Sequence, residues 1–212
     1  MPELLVQYET EIWTSIGETF VMVGVSILAA ILIGLPVGTF LFLCRKGQVL
    51  ENQFVFSILN LLVNIIRSFP FLLLVVFLIP FTRLVLGTAI GTAAATVPLS
   101  IIAIAHYSRL VEQSLLEVPK GVIEAAISMG ASIQDIIFKF LYVEARSGFV
   151  LGLTTSIISF ISYSTIMGVV GGGGIGDFAI RYGYQQFKTD LMIYMIIIMV
   201  ILVQLLQFIG TT

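Results

Sequence analysis

Side chains able to do acid–base or covalent chemistry are scarce in this sequence, and their placement is informative. One histidine, His106, and one cysteine, Cys44, leave no His/Cys cluster for zinc and no disulfide framework within the chain. No catalytic constellation and no metal-ligand set is expected. Arg67 stands alone among charges in the interval from Asn52 to Thr82. An arginine at bilayer depth costs roughly 2.5–3.5 kcal/mol on insertion scales, so it must snorkel, pair or face a wet cavity. Two readings stay open: an anchor at the start of a span, or part of a gate beside a translocation path. Pro70, three residues on, is expected to kink that span. Eight hydroxyls crowd Thr154 to Thr165, with Thr155, Ser159 and Ser162 at i, i+4, i+7 on one helical face and Tyr163 beside them. Such hydroxyls either bond between neighbouring helices or line an aqueous path. Gly171–Gly174 with Gly176 lacks the GK[ST] ending of a phosphate loop and follows an apolar stretch, which favours a packing turn. Phe178, Tyr182, Tyr184 and Phe187, around Arg181 and Lys188, read as an interfacial aromatic belt.

The elements that carry these groups follow from where charge is missing. Charged residues make up 10% of the 212, hydrophobic ones 58%, and the mean hydropathy is +1.11. A soluble domain uses about 25% charge, so a soluble enzyme is excluded. The net charge of −2 argues against nucleic acid, which needs a basic stripe. Charge-free or nearly charge-free intervals recur, each longer than the ~20 residues that cross a ~30 Å hydrocarbon core. They predict five transmembrane helices at roughly 19–44, 54–81, 84–107, 148–170 and 191–211. Residues 1–18 hold four glutamates and no Lys or Arg, unlike a secretory signal, and suit the outer side. Arg45, Lys46, Arg109, Lys120, Lys139 and Arg146 then face the cytoplasm, against Arg83, Arg181 and Lys188 outside. That bias satisfies the positive-inside rule and puts the N-terminus outside and the C-terminus inside.

The segment 109–146 does not belong in lipid. With its flanks it holds nine of the chain's 22 charges. Val122, Ala125, Ala126, Met129, Ile133, Ile136, Ile137 and Phe140 recur at helical spacing, and Pro119 suits a first turn. Ser132-Ile-Gln-Asp135 is a capping-box signature, so two short amphipathic helices joined at Gly130-Ala131 are predicted. They either lie in the membrane interface or dock a soluble partner. The mixed sign of the polar face favours docking.

Glu124-Ala125-Ala126, three residues, then Gly130-Ala131 resembles the EAA loop of ABC importer permeases. Arg67-Ser68-Phe69-Pro70-Phe71, Ile79-Pro80-Phe81-Thr82-Arg83 and the stretch Tyr163 to Phe187 are similar to the permease subunit of methionine importers. The resemblance covers nearly the whole chain as one transmembrane domain, 1–212. It implies an all-α integral membrane fold of five spans whose cytoplasmic loop carries a coupling helix. Glu124, Ala125, Ala126, Met129, Gly130, Ala131, Ile133 and Ile137 would contact a separate cytoplasmic ABC ATPase. Arg67, Pro70, Thr155, Ser159, Ser162 and Tyr163 would belong to the gate or path. It further implies a homodimer in the bacterial cytoplasmic membrane, an extracytoplasmic substrate-binding (lipo)protein, and ATP-Mg held by the ATPase and not by this chain. One departure is that residues 141–148, Leu-Tyr-Val-Glu-Ala-Arg-Ser-Gly, lack both prolines the family carries after the EAA helix. Without them the coupling helix is expected to run on towards the fourth span.

The expected spans contain no Asp or Glu, which argues against a proton-driven carrier. Sodium coupling through backbone carbonyls is not excluded on this ground. There is no TVGYG filter and no Walker A sequence. The alternative to an ATP-driven importer subunit is a stand-alone carrier or channel for small polar solutes.

Overall fold

The computed structural model describes residues 2–211. It is helical throughout, with no strand among the described residues. Helix α1 (Pro2–Gln7) leads into α2 (Glu9–Leu43). A π-helical stretch, Ala30–Gly34, lies in α2 directly ahead of Pro36, which has no N–H to give the ladder. Next come α3 (Gln53–Ser68), α4 (Phe71–Leu86) and α5 (Thr92–Leu116). Two short helices follow, α6 (Lys120–Ser128) and α7 (residues 133–144, π-helical over Ile136–Leu141). Then α8 (Arg146–Val169), α9 (residues 175–184) and α10 (Thr189–Thr211) complete the chain.

Among the described residues, four helices are long and apolar enough to cross a membrane: Glu9–Leu43, Thr92–Leu116, Arg146–Val169 and Thr189–Phe208. The bent pair α3 and α4 makes a fifth if it counts as one span. Two sequence expectations need correction here. The stretch 54–81 is not one kinked helix. Phe69 is extended (φ −70°, ψ 133°), as a residue before proline prefers, and Pro70 stands at the N-cap of a new helix. The two helices meet at 106°. Nor does a helix run over 84–107. Its first residues finish α4, which Gly87 closes with φ +75° and an N–H donated to the Arg83 carbonyl at 2.8 Å. The turn that follows contains no charge, so a search for charge-free intervals passes over it. Helix α5 begins only at Thr92 and extends to Leu116.

Helix α5 is the central post: α2, α3, α4 and α8 all pack on it. Its tightest neighbour is α2, where Gly38 lies against the Ser108 carbonyl and the Val111 side chain. The main core runs from Ala30, Phe42 and Leu43 through Ala103, Val111 and Leu115 to Ile123, Ala126, Ile136 and Leu141. Span interior and loop helices therefore share one apolar core.

At the other end of the bundle the glycine run is a packing turn. Gly174 (φ +92°) donates its N–H to Glu18 Oε2 at 2.7 Å, and Ile175 N–H goes to Thr19 Oγ1 at 2.9 Å. A Cβ on Gly174 would come within 2.7 Å of Met22 Cε. The aromatic belt divides. Phe178 is buried beside Leu191 and Met195, with Tyr8 and Tyr182 on its ring, whereas Tyr184 and Phe187 are exposed.

Candidate coupling site and translocation helices

The loop expected at 109–146 begins later than its charges suggest. Arg109 and Glu112 lie inside α5, and Glu112 is 1% exposed. Each of its carboxylate oxygens takes one arginine: Arg109 Nη1 at 2.5 Å from the same helix, and Arg45 Nη1 at 3.4 Å from beyond α2. The other end of the Arg109 guanidinium reaches α3, where Nη2 donates to Asn60 Oδ1 and to Asn64 Oδ1, both at 2.7 Å. This polar knot was not singled out from the sequence. The Arg-x-x-Glu spacing on α5 and the Asn-x-x-x-Asn spacing in an apolar stretch are the signals that could have found it.

Beyond the knot, residues 117–119 turn the chain into α6, with Pro119 just ahead of the first helical residue. Ile123 and Ala126 point into the core against α5 and α7. Helix α6 ends in a glycine-closed turn. Gly130 N–H bonds to the Ile127 carbonyl at 2.9 Å and Ala131 N–H to the Ala126 carbonyl at 3.0 Å, with Gly130 at φ +76°. Ser132 then caps α7. Its Oγ accepts the Asp135 N–H at 3.2 Å and donates to Asp135 Oδ2 at 2.6 Å. Lys139 pairs with the same carboxylate at 2.5 Å.

Lys139, then Ser132, hold the Asp135 carboxyl down at about 2, below its ordinary 3.8. A depressed folded value means that the cap's contribution is complete above the ordinary range and is lost as pH falls through about 2. A carboxyl-carbon NMR titration should give that low midpoint, and Lys139→Gln should raise it. An ordinary midpoint in the unsubstituted protein would contradict the pairing.

Of the residues expected to meet an ATPase, Glu124, Ala125, Met129, Gly130 and Ile133 are exposed, Met129 by 69%. Ala131 and Ile137 are half-buried against the core, and Ala126 is fully buried. Ala126 therefore holds the helix down and offers no contact. With Ile127, the exposed Met129 and Ile133 leave an apolar tip around the Gly130 turn. Past α7, only Ala145 separates the loop from α8, and hydrogen bonds from Ala145 N–H to Leu141 and from Phe149 N–H to Ala145 bridge it. Thr39 Oγ1 and Tyr142 OH, 2.8 Å apart, tie α7 to α2.

The residues expected along a path are not all brought together. Arg67 closes the last turn of α3, exposed, and makes no hydrogen bond or ion pair among the described residues. Pro70 sits at the 106° break. Tyr163 stacks on Phe71 with ring centroids 4.5 Å apart, which joins α8 to the start of α4. Thr155 and Ser162 are exposed and Ser159 half-buried on α8. Their hydroxyls do not bridge helices. Thr155 donates to the Leu151 carbonyl at 2.9 Å, Ser159 to Thr155 at 3.0 Å and Ser162 to Ile158 at 3.3 Å. Thr154, Ser156, Ser164 and Thr165 do likewise, and among the described residues the one reach outward by these hydroxyls is a 4.0 Å contact from Thr165 to Met199 Sδ. A carbonyl one turn back is always in range, so the local bond wins.

Comparison with known proteins gives this arrangement a family. Residues 30–211 match the model of the binding-protein-dependent transport system inner membrane component. The chain is 44% identical over 203 residues to the probable D-methionine transport system permease protein MetI of Pasteurella multocida (strain Pm70), covering 94% of each. It is 42% identical over 201 residues to the methionine import system permease protein MetP of Bacillus subtilis (strain 168), covering 95% of this chain and 90% of the relative. Among solved structures it superimposes on an inward-facing MetNI methionine ABC transporter with a TM-score of 0.94 and 40% identity, over 97% of this chain and 95% of the other. An amino acid ABC transporter, 17% identical, shares the fold at a TM-score of 0.79. The chain is thus a multi-pass membrane permease and not an enzyme. It belongs to the family of binding-protein-dependent transport system inner membrane components.

Proposed function

We propose that this chain forms the translocation path of an ATP-driven methionine importer, working as a homodimer in the bacterial cytoplasmic membrane. A separate cytoplasmic ATPase holds ATP-Mg and grips residues 124–140, and an extracytoplasmic binding protein delivers substrate to the opposite mouth. The N-terminus lies outside and the C-terminus inside. The observation that carries the reading is the loop. Its apolar tip is exposed at Ile127, Met129 and Ile133, yet its base is continuous with the core that packs the spans. A push on the tip therefore moves packed helices and not a slack connection. The kinship with methionine permeases supplies the substrate class. Arg67, Pro70, Tyr163 and the α8 hydroxyls Thr155, Ser159 and Ser162 are assigned to the gate and path. An exposed, unpaired arginine beside a broken helix suits a wet surface between two copies better than lipid.

Liposomes holding the chain with its ATPase should take up methionine only when ATP is present. Uptake by the chain alone would support a stand-alone carrier or channel instead.

A narrower test concerns Gly130. Nothing lies within 4 Å of the Cβ that a larger residue would add there, so the barrier is conformational and not steric. A β-branched residue held at φ +76° costs roughly 1–2 kcal/mol, and asparagine less. Gly130→Val is expected to leave membrane abundance normal while ATP hydrolysis proceeds with reduced uptake. Gly130→Asn should retain most uptake. Normal uptake in the valine variant would count against a rigid turn at the contact.

A further inference from the structure

Helix α3 is weakly held by apolar packing. Among the described residues it buries only Val63, which meets Leu41 and Ala105, with Phe56, Leu59 and Ile66 partly covered around them. Its outer face, including Phe54, Leu61 and Leu62, is exposed. What fixes α3 to the post is a polar fork. Arg109 Nη2 bonds both Asn60 and Asn64, one turn apart, and Asn64 Nδ2 donates back to Asn60 Oδ1 at 3.3 Å. The same guanidinium is locked on its other side by buried Glu112. Arg109 lies two turns before the end of α5, and three residues separate that end from α6. At its far end α3 carries Arg67 and then the break at Phe69-Pro70.

We infer that Arg109 is the positioning residue that transmits movement of the loop helices to α3, so that α3 travels with the base of α5 and swings the break at Pro70. Two features make the fork suited to this. A planar guanidinium sets both the distance and the orientation of the helix it grips, which a greasy contact with one buried residue does not. Glu112 keeps the guanidinium oriented, so the fork does not rotate away from the asparagines when the base moves.

This inference rests on the coupling reading above, and the experiment separates the two. The full transporter, in lipid nanodiscs with its ATPase and with Cys44→Ala, carries spin labels at Leu61→Cys on α3 or at Lys120→Cys at the start of α6. Distances between the two copies are measured without nucleotide and with ATP-Mg trapped by vanadate. Both label pairs are expected to shift in the otherwise unsubstituted protein. Asn60→Leu with Asn64→Leu removes the fork from a surface that tolerates leucine and leaves the Arg109–Glu112 pair intact. Arg109→Lys keeps the charge for Glu112 but cannot span both amides. In both variants the α6 pair should shift as before, while the α3 pair no longer follows nucleotide. Uptake per ATP hydrolysed should fall by about tenfold, the upper range of coupling effects. Rescue of the α3 shift by Asn60→Gln alone, which retains Asn64, would add support. If the α3 pair follows nucleotide in the double leucine variant, or if uptake per ATP is unchanged, the inference is overturned. If the α6 pair fails to move in the unsubstituted protein, the coupling reading falls and this inference falls with it.

Discussion

Glu112→Leu is expected to destabilise the folded chain by about 3–5 kcal/mol, the range for breaking a buried ion pair from one side. The glutamate is 1% exposed, and the side chain of Arg109 only 14%. With the carboxylate gone, Arg109 cannot return to water without dragging its head away from Asn60 and Asn64. The other partner behaves differently. Arg45 has a side chain 44% exposed, and solvent can take over its half of the contact. Arg45→Met should therefore cost no more than about 1 kcal/mol. Glu112→Gln keeps the shape and one acceptor oxygen, and its expected cost is intermediate, about 1.5–3 kcal/mol, the worth of a hydrogen bond to a charged group. Thermal melts in detergent, read by tryptophan fluorescence and size-exclusion profile, rank the three. A leucine variant as stable as the unsubstituted chain would show that the knot is not buried as described.

The second large effect is steric. Gly38→Leu is expected to prevent α2 from seating on α5. Even the Cβ would lie 2.4 Å from the Ser108 carbonyl oxygen and 2.7 Å from Val111 Cβ, and the first of these is backbone, which cannot swing aside. Overpacking of this kind costs about 1–3 kcal/mol where the core can shift, and more where it cannot. The same substitution at Gly24, on the same helix with nothing within 4 Å of its Cβ, is the control and should be nearly neutral. Expression in membranes and monodispersity after extraction distinguish them. Equal yields for the two would refute the close approach.

How far the sequence carries a reader depends on what each residue's neighbours are. The turn at Gly130 was legible because its determinants are local. Gly130, Ser132 and Asp135 lie within six residues, and capping rules need no knowledge of the rest of the chain. The break at Pro70 was half legible. Proline announces a disturbance but not its angle, and the 106° turn depends on how α3 and α4 each find room against α5. The turn before Thr92 was invisible to a reading based on charge, since Gly87 to Gly91 contains none. Glu112 misled for the opposite reason. A charge near a helix end reads as solvent-facing, and its burial depends on how distant segments pack around it, one of its two partners being Arg45, 67 positions away. The grouped hydroxyls of α8 bond to carbonyls of their own helix and not between helices, a local choice that the residue types alone do not announce.

That local choice has a consequence for how the bundle can move. Seven Ser and Thr side chains lie along the middle of α8, yet their oxygens bond to carbonyls of their own helix. A rod whose polar side chains are internally satisfied keeps few stitches that a slide or a twist must rip: Tyr107 OH to the Phe149 carbonyl at 3.3 Å near its start, and the long Thr165–Met199 contact. It behaves as a bearing surface, smooth to adjacent helices although rich in oxygen, and it can change its orientation against them without a new set of bonds having to be found at each step.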